Sequence, residues 1–170
     1  MASPDPSADR FEALMAEHRG IVKRIAASYA RDGADRADLE QEIAVELWRS
    51  FARHDPTRSF TTWMYRVALN VAISQVRRAG VRARVQPLEG AESEVVDPRS
   101  EGESDGGLQL LERVLAELDP QQRALLVLYL EDRPQREIAE ILGLSESNVS
   151  TRIHRMKLRL RARFPDPHNP

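Results

Sequence analysis

Between Gly80 and Gly107 the chain loses every trace of helical or strand periodicity. Its segment QPLEGAESEVVDPRSEGESDGG is built mainly from Glu, Asp, Ser, Gly and Pro. Such a composition buries too little apolar surface to offset the entropy lost on ordering, so residues 80–107 read as an acidic flexible linker. The expectation is two helical modules on a tether. The chain divides into a disordered tail at 1–9, a module at 10–79, the linker, a second module at 108–164 and a short tail at 165–170.

Both modules read as helical, so the fold class is all-α: two small helical domains on an acidic linker. Phe11, Leu14, Met15, Val22, Ile25 and Tyr29 recur at helical spacing, in a helix ending near Gly33. Leu39, Ile43, Leu47 and Phe51 step by four along a second helix, expected over about Asp35 to Arg53 and broken at Asp55-Pro56. A third helix starts near Ser59, with Ser59 or Thr57 as its cap, and runs to about Arg78. In the second module Leu108, Leu111, Leu115 and Leu118 share a face, and Asp119-Pro120 restarts the chain as an N-cap followed by Pro at the first helical position.

Net charge is only −2, but the charges are segregated. Residues 56–84 hold six basic side chains and no acid, and residues 147–165 again hold six and none, while residues 85–120 hold ten acids and two bases. Two basic blocks on two helices point to a polyanion gripped at two places, although a charge run also suits a solvated face. The chain has no cysteine, and His18, His54, His154 and His168 are too scattered for a ligand motif, so no metal or cofactor is expected. No P-loop, dinucleotide turn, HExxH or activated nucleophile is present, which argues against an enzyme. The N-terminus MASPDPSADR lacks a signal-peptide core and no run reaches a membrane span, so the expectation is a cytoplasmic protein without membrane insertion.

Ile138, Ala139, Leu142, Gly143, Leu144 and Val149 have helix-turn-helix spacing: a small residue for close approach, a glycine for the sharp turn and apolar residues to lock the pair. Ser145 is placed to cap the last helix, on which Val149, Ile153, Met156 and Leu160 form the inner stripe. The outer face carries Ser147, Asn148, Thr151, His154 and Arg155, with Arg159 beside them. Small polar residues let the backbone approach base edges and arginines hold phosphates. A solvated bundle hairpin with a basic last helix has the same pattern. On the third helix, Trp63, Arg66, Asn70 and Arg77 form one polar strip between two apolar faces. An aromatic, an amide and arginines are the components of single-strand recognition, although Phe60 and Trp63 also suit a core.

Together these stretches carry a family resemblance. DLEQEIAVELWRSF, the following loop and FTTWMYRVALNVAISQVRR resemble domain two of bacterial sigma factors, and LDPQQRALLVLYLEDRPQREIAEILGLSESNVSTRIHRMKLRLR resembles their domain four. With only the linker between them, the chain resembles an extracytoplasmic-function, group-four sigma factor of the sigma-70 family. The resemblance implies that Asp38, Leu39, Gln41, Glu42, Glu46 and Trp48 dock on the β′ clamp of bacterial core RNA polymerase, with the β flap as a further contact. It implies a minus-ten reader made from Ser59, Phe60, Thr61, Trp63, Arg66, Asn70, Arg77 and Arg78, in which a base flips into a pocket on the loop. Ser147, Asn148, Ser150, Thr151, Arg152, His154, Arg155 and Arg159 would read the minus-thirty-five element of promoter DNA. The family resemblance further implies an anti-sigma factor as partner and a monomer when free. Two alternatives follow from the residues alone: a free-standing helix-turn-helix regulator with an N-terminal helical sensor module, and a helical protein-binding adaptor.

Overall fold

The computed structural model describes residues 6–85 and 106–163; the linker expectation, apart from its two ends, residues 1–5 of the N-terminal tail expectation and all of the C-terminal one lie outside these residues, while residues 6–9, expected to be disordered, open the first helix. The described residues form seven helices: α1 Pro6–Tyr29, α2 Gly33–Phe51, α3 Phe60–Val85, α4 Gly106–Glu117, α5 Pro120–Leu130, α6 Gln135–Leu142 and α7 Glu146–Arg163.

Local chemistry explains most boundaries. Asp32 caps α2 by accepting from the Asp35 amide at 2.8 Å, so the first turn starts earlier than Asp35. Ser59 Oγ accepts from the Thr62 amide at 3.3 Å at the start of α3. Thr57 instead donates both its amide and its hydroxyl to Asp55 inside the loop, at 2.9 and 2.7 Å. Asp119 accepts from the amides of Gln121 and Gln122, both at 2.9 Å, with Pro120 opening α5. Gly143 ends α6 in the left-handed region at φ 67°, and Ser145 Oγ accepts from the Asn148 amide at 3.2 Å to start α7. Helix α3 runs to Val85, seven residues past Arg78, so the segment between modules is shorter than the sequence pattern implies.

Helices α1 to α3 pack as a three-helix bundle whose centre is Ile25, Leu39, Ile43, Leu47, Met64 and Leu69, each at most 1% exposed. Burying each such side chain contributes about 1.5–3 kcal/mol. The second module closes around Leu128, Ile138 and Val149, all 0% exposed, with Ile153 and Met156 of α7 against them. The two modules do not stand apart. Helices α1 and α3 pack on α5, and α3 packs on α6. The Tyr29 hydroxyl donates to the Pro120 carbonyl at 2.6 Å, the Arg123 guanidinium stands 5.2 Å over the Tyr29 ring, and Arg123 also donates to the Ser28 carbonyl at 3.2 Å. Burial pushes the Tyr29 phenol above its ordinary pKa, which keeps it a proton donor.

Candidate polymerase and nucleic-acid interfaces

The loop from Ala52 to Ser59 joins α2 to α3 and rests on aromatic rings. Phe51 and His54 stack with planes 2° apart and centroids 6.2 Å apart, Trp63 lies 4.9 Å from His54, and Phe60 lies 5.4 Å from Trp63 and 5.7 Å from His54. Phe11 closes the cluster against Phe51 at 5.1 Å. The His54 Nε2 atom is buried without a hydrogen-bond partner among the described residues. Burial, reinforced by Arg10, pushes the imidazole below its ordinary pKa and keeps it neutral.

This cluster separates the sequence-predicted strip into two groups. Phe60 and Trp63 are half-buried braces beneath the loop, so neither ring is a free stacking platform. Ser59, Arg66, Asn70 and Arg77 are exposed. The Ser59 and Thr61 hydroxyls are hydrogen-bonded to each other at 3.0 Å, so they form one polar edge on the first turn. Arg78 is exposed but already engaged: it donates to Glu42 at 2.6 Å across α2 and α3. Its expected role on a nucleic acid therefore competes with an ion pair that sequence spacing did not reveal.

That pair spans an open groove of 930 Å³ between α2 and α3, walled by Asp38, Gln41, Glu42 and Glu46 on one side and by Val67, Val71 and Ser74 on the other. Leu39 does not belong to this surface. It is 1% exposed and fills the bundle core, because the four-residue step that joins it to Ile43 and Leu47 turns it inward. Val45 takes its place as the apolar element: it is 41% exposed and lines the groove. Its position four residues after Gln41 was the available signal. Trp48 is 47% exposed, with one edge held 5.1 Å from Phe11.

On α7 the inner residues Val149, Ile153 and Met156 are buried and Leu160 is half-buried, while Ser147, Asn148, Ser150, Thr151, Arg152, His154, Arg155 and Arg159 are all exposed. Arg152 donates to Asn148 at 2.7 Å, Thr151 donates to the Ser147 carbonyl at 2.9 Å, and Arg159 donates to Gln122 at 3.3 Å. The face is therefore partly pre-organised. Asn70 of α3 and Asn148, Thr151, Arg152, Arg155 and Arg159 of α7 line one cavity of 410 Å³, floored by Leu69, Ile73, Leu125 and Met156. Nothing in the spacing along α3 or α7 places these two faces together; their packing does.

Residues 14–82 match the Sigma-70 region 2 family and residues 108–160 match Sigma-70, region 4. The chain is 31% identical over 156 residues to the ECF RNA polymerase sigma factor SigE of Mycolicibacterium smegmatis, covering 89% of this chain and 60% of that protein. It is 31% identical over 165 residues to the RNA polymerase sigma factor CnrH of Cupriavidus metallidurans, covering 89% of this chain and 85% of CnrH. The chain belongs to the ECF RNA polymerase sigma factors. The solved structure of CnrH in complex with the cytosolic domain of CnrY superposes on this sigma factor with a TM-score of 0.64 at 28% identity, covering 89% of this chain and 85% of that one. The sigma factor RpoE bound to the anti-sigma factor NepR, from Bartonella quintana, shares the fold with a TM-score of 0.72 at 21% identity, covering 90% and 95% of the two chains. Within this sigma factor, no helix among the described residues is long and apolar enough to cross a membrane.

Proposed function

We propose that this sigma factor docks on core RNA polymerase through the α2–α3 groove and reads promoter DNA with two surfaces. The β′ clamp is met by Asp38, Gln41, Glu42, Val45, Glu46 and Trp48, whose acidic and apolar mixture suits a basic partner with an apolar ridge. The loop before α3, with Ser59, Thr61, Arg66, Asn70 and Arg77, holds the melted minus-ten strand. Unstacking a base costs a few kcal/mol, and the ring cluster supports this role by holding the loop rigid, so that little of the binding energy is spent on ordering it. Helix α7 enters the major groove at the minus-thirty-five element, with Ser147, Asn148, Ser150, Thr151 and His154 at base edges and Arg152, Arg155 and Arg159 near phosphates.

The observation that carries this reading is the exposure of all eight α7 candidates while Val149, Ile153 and Met156 of the same helix are buried. The protein acts in the cytoplasm, is monomeric when free, and is held inactive by an anti-sigma factor. Support for such a partner comes from CnrH, seen with CnrY, and from RpoE, seen with NepR. The test is competition against a labelled primary sigma factor for core RNA polymerase. Tight competition that is lost in the Asp38→Lys, Glu42→Lys double variant supports the docking surface. Absence of competition by the wild-type chain refutes it.

A further inference from the structure

Helices α3 and α7 both rest on α5 and α6, and the cavity of 410 Å³ lies between them. Two of its properties are not accounted for by the reading of DNA. The first is its lining. Leu118 and Leu125 of α5, Ile141 of α6 and Met156 of α7 form a buried floor, above which Ile73, Leu142, Leu144 and Leu160 stay only half-buried. These are all aliphatic or thioether side chains, and no aromatic ring lines the cavity among the described residues. Duplex phosphates and base edges require donors and acceptors, which gives no reason for an apolar trough beside the reading helix. The volume falls in the range of roughly 300–1,000 Å³ typical of small-molecule sites.

The second property is the charge along one wall. Asn148, Arg152, Arg155 and Arg159 follow one another in steps of four, three and four residues, which is a straight line along α7. Arg152 donates to the Asn148 side chain and Arg159 to that of Gln122, both neutral amides, and Arg155 has no hydrogen-bond or ion-pair partner among the described residues. No acidic side chain lines the cavity among those residues either. The wall therefore carries three positive charges without a carboxylate, above an aliphatic floor. This pairing is complementary to a molecule with an anionic head and a hydrocarbon tail. A carboxylate head accepts from the guanidinium forks, and the tail displaces water from Ile73, Leu144 and Leu160. A lining without rings suits a flexible methylene chain, whereas a flat aromatic acid would call for a ring to stack on.

We propose that the cavity between α3 and α7 is a binding site for an aliphatic carboxylate of medium chain length, whose occupation withdraws Arg152, Arg155 and Arg159 from DNA. Binding of the carboxylate requires only the cavity. Its effect on DNA rests on the assignment of α7 to the duplex.

The test uses the full chain with sodium octanoate, decanoate and dodecanoate, each below its micelle concentration, in isothermal titration calorimetry. The expected result is one site per chain with a dissociation constant below about 1 mM for decanoate, tightening by about fourfold for each further methylene that the floor buries. Acetate, with the same charge and no tail, should give no binding. Ile73→Trp fills the trough from α3 and leaves every charge in place, so it should abolish binding of decanoate. Arg155→Ala changes an exposed residue that does not support the fold, and should weaken decanoate at least fivefold. An Arg136→Ala, Arg161→Ala control removes exposed arginines outside the cavity and should bind decanoate as the wild type does. In fluorescence anisotropy, saturating decanoate should weaken binding of the wild type to a labelled mixed-sequence duplex at least threefold relative to acetate at equal concentration. No binding by the wild type, binding only above the micelle concentration, or undiminished binding by folded Ile73→Trp or Arg155→Ala overturns the site. Binding with unchanged duplex affinity overturns the withdrawal of the arginines from DNA. Core-polymerase competition by the wild-type chain, measured without carboxylate, reports separately on the sigma reading.

Discussion

Gly143 and Gly33 offer the same substitution with opposite expected signs. At each, an added Cβ meets nothing within 4 Å, so sterics with neighbours contribute no cost at either site. Gly143 has φ 67° at the turn between α6 and α7, a left-handed conformation that costs a residue with a side chain about 1–2 kcal/mol. Gly33 opens α2 at ordinary φ, so Ala there only narrows the unfolded ensemble and stabilises by about 0.4–1 kcal/mol. In a domain of this size, 1 kcal/mol shifts the melting temperature by about 2–4 °C. Urea denaturation of Gly143→Ala should therefore show a loss of about 1–2 kcal/mol, and Gly33→Ala a gain. Gly143→Asn, which tolerates the left-handed region, should recover much of that loss. Because Gly143 sets the angle at which α7 leaves α6, Gly143→Ala should also weaken binding to duplex promoter DNA. No stability loss at Gly143 would show that the turn is not held by backbone conformation, and a loss at Gly33 would refute the unfolded-state argument there.

Leu39→Ala removes a fully buried side chain and should cost about 2–5 kcal/mol in denaturant unfolding, whereas Val45→Ala should leave unfolding nearly unchanged and weaken core-polymerase competition. Arg155→Ala should lower transcription from promoters with an intact minus-thirty-five element while core binding stays as in wild type; an equal loss of core binding would sink the assigned role. His54 has a folded pKa below its ordinary value near 6.5, so the stability it contributes is complete above that pH and is lost as pH falls below about 6.5, where the unfolded chain takes up the proton more readily. His54→Phe should flatten the fall in stability between pH 7.5 and 5.5, and an unaltered slope would count against this origin. Glu42→Gln frees Arg78 from its 2.6 Å partner and should tighten single-strand binding while loosening the hold on polymerase.

Helix identity, most caps and the outward face of α7 were legible from the sequence because they depend on neighbours within a few residues. Leu39, Ile43 and Leu47 fall inward by the helical repeat alone, and Ser145 and Asp119 find amides two or three residues away. The same repeat carried the inner stripe of Val149, Ile153 and Met156, and so the exposure of the reading face. What tertiary structure decided is which side chains meet across long separations. Thr62 meets Glu137 at a distance of 75 residues, Tyr65 meets Glu131 at 66, and Arg78 is taken by Glu42 at 36. Trp63 and Phe60 likewise become braces only because Phe51 and His54 are brought beneath them. Periodicity says which face of a helix is apolar, but a charged residue on the polar face finds its partner only when packing brings another helix alongside. The packing of the second module against α1 and α3, and the polar contacts that cross it, therefore lie beyond any reading of local pattern.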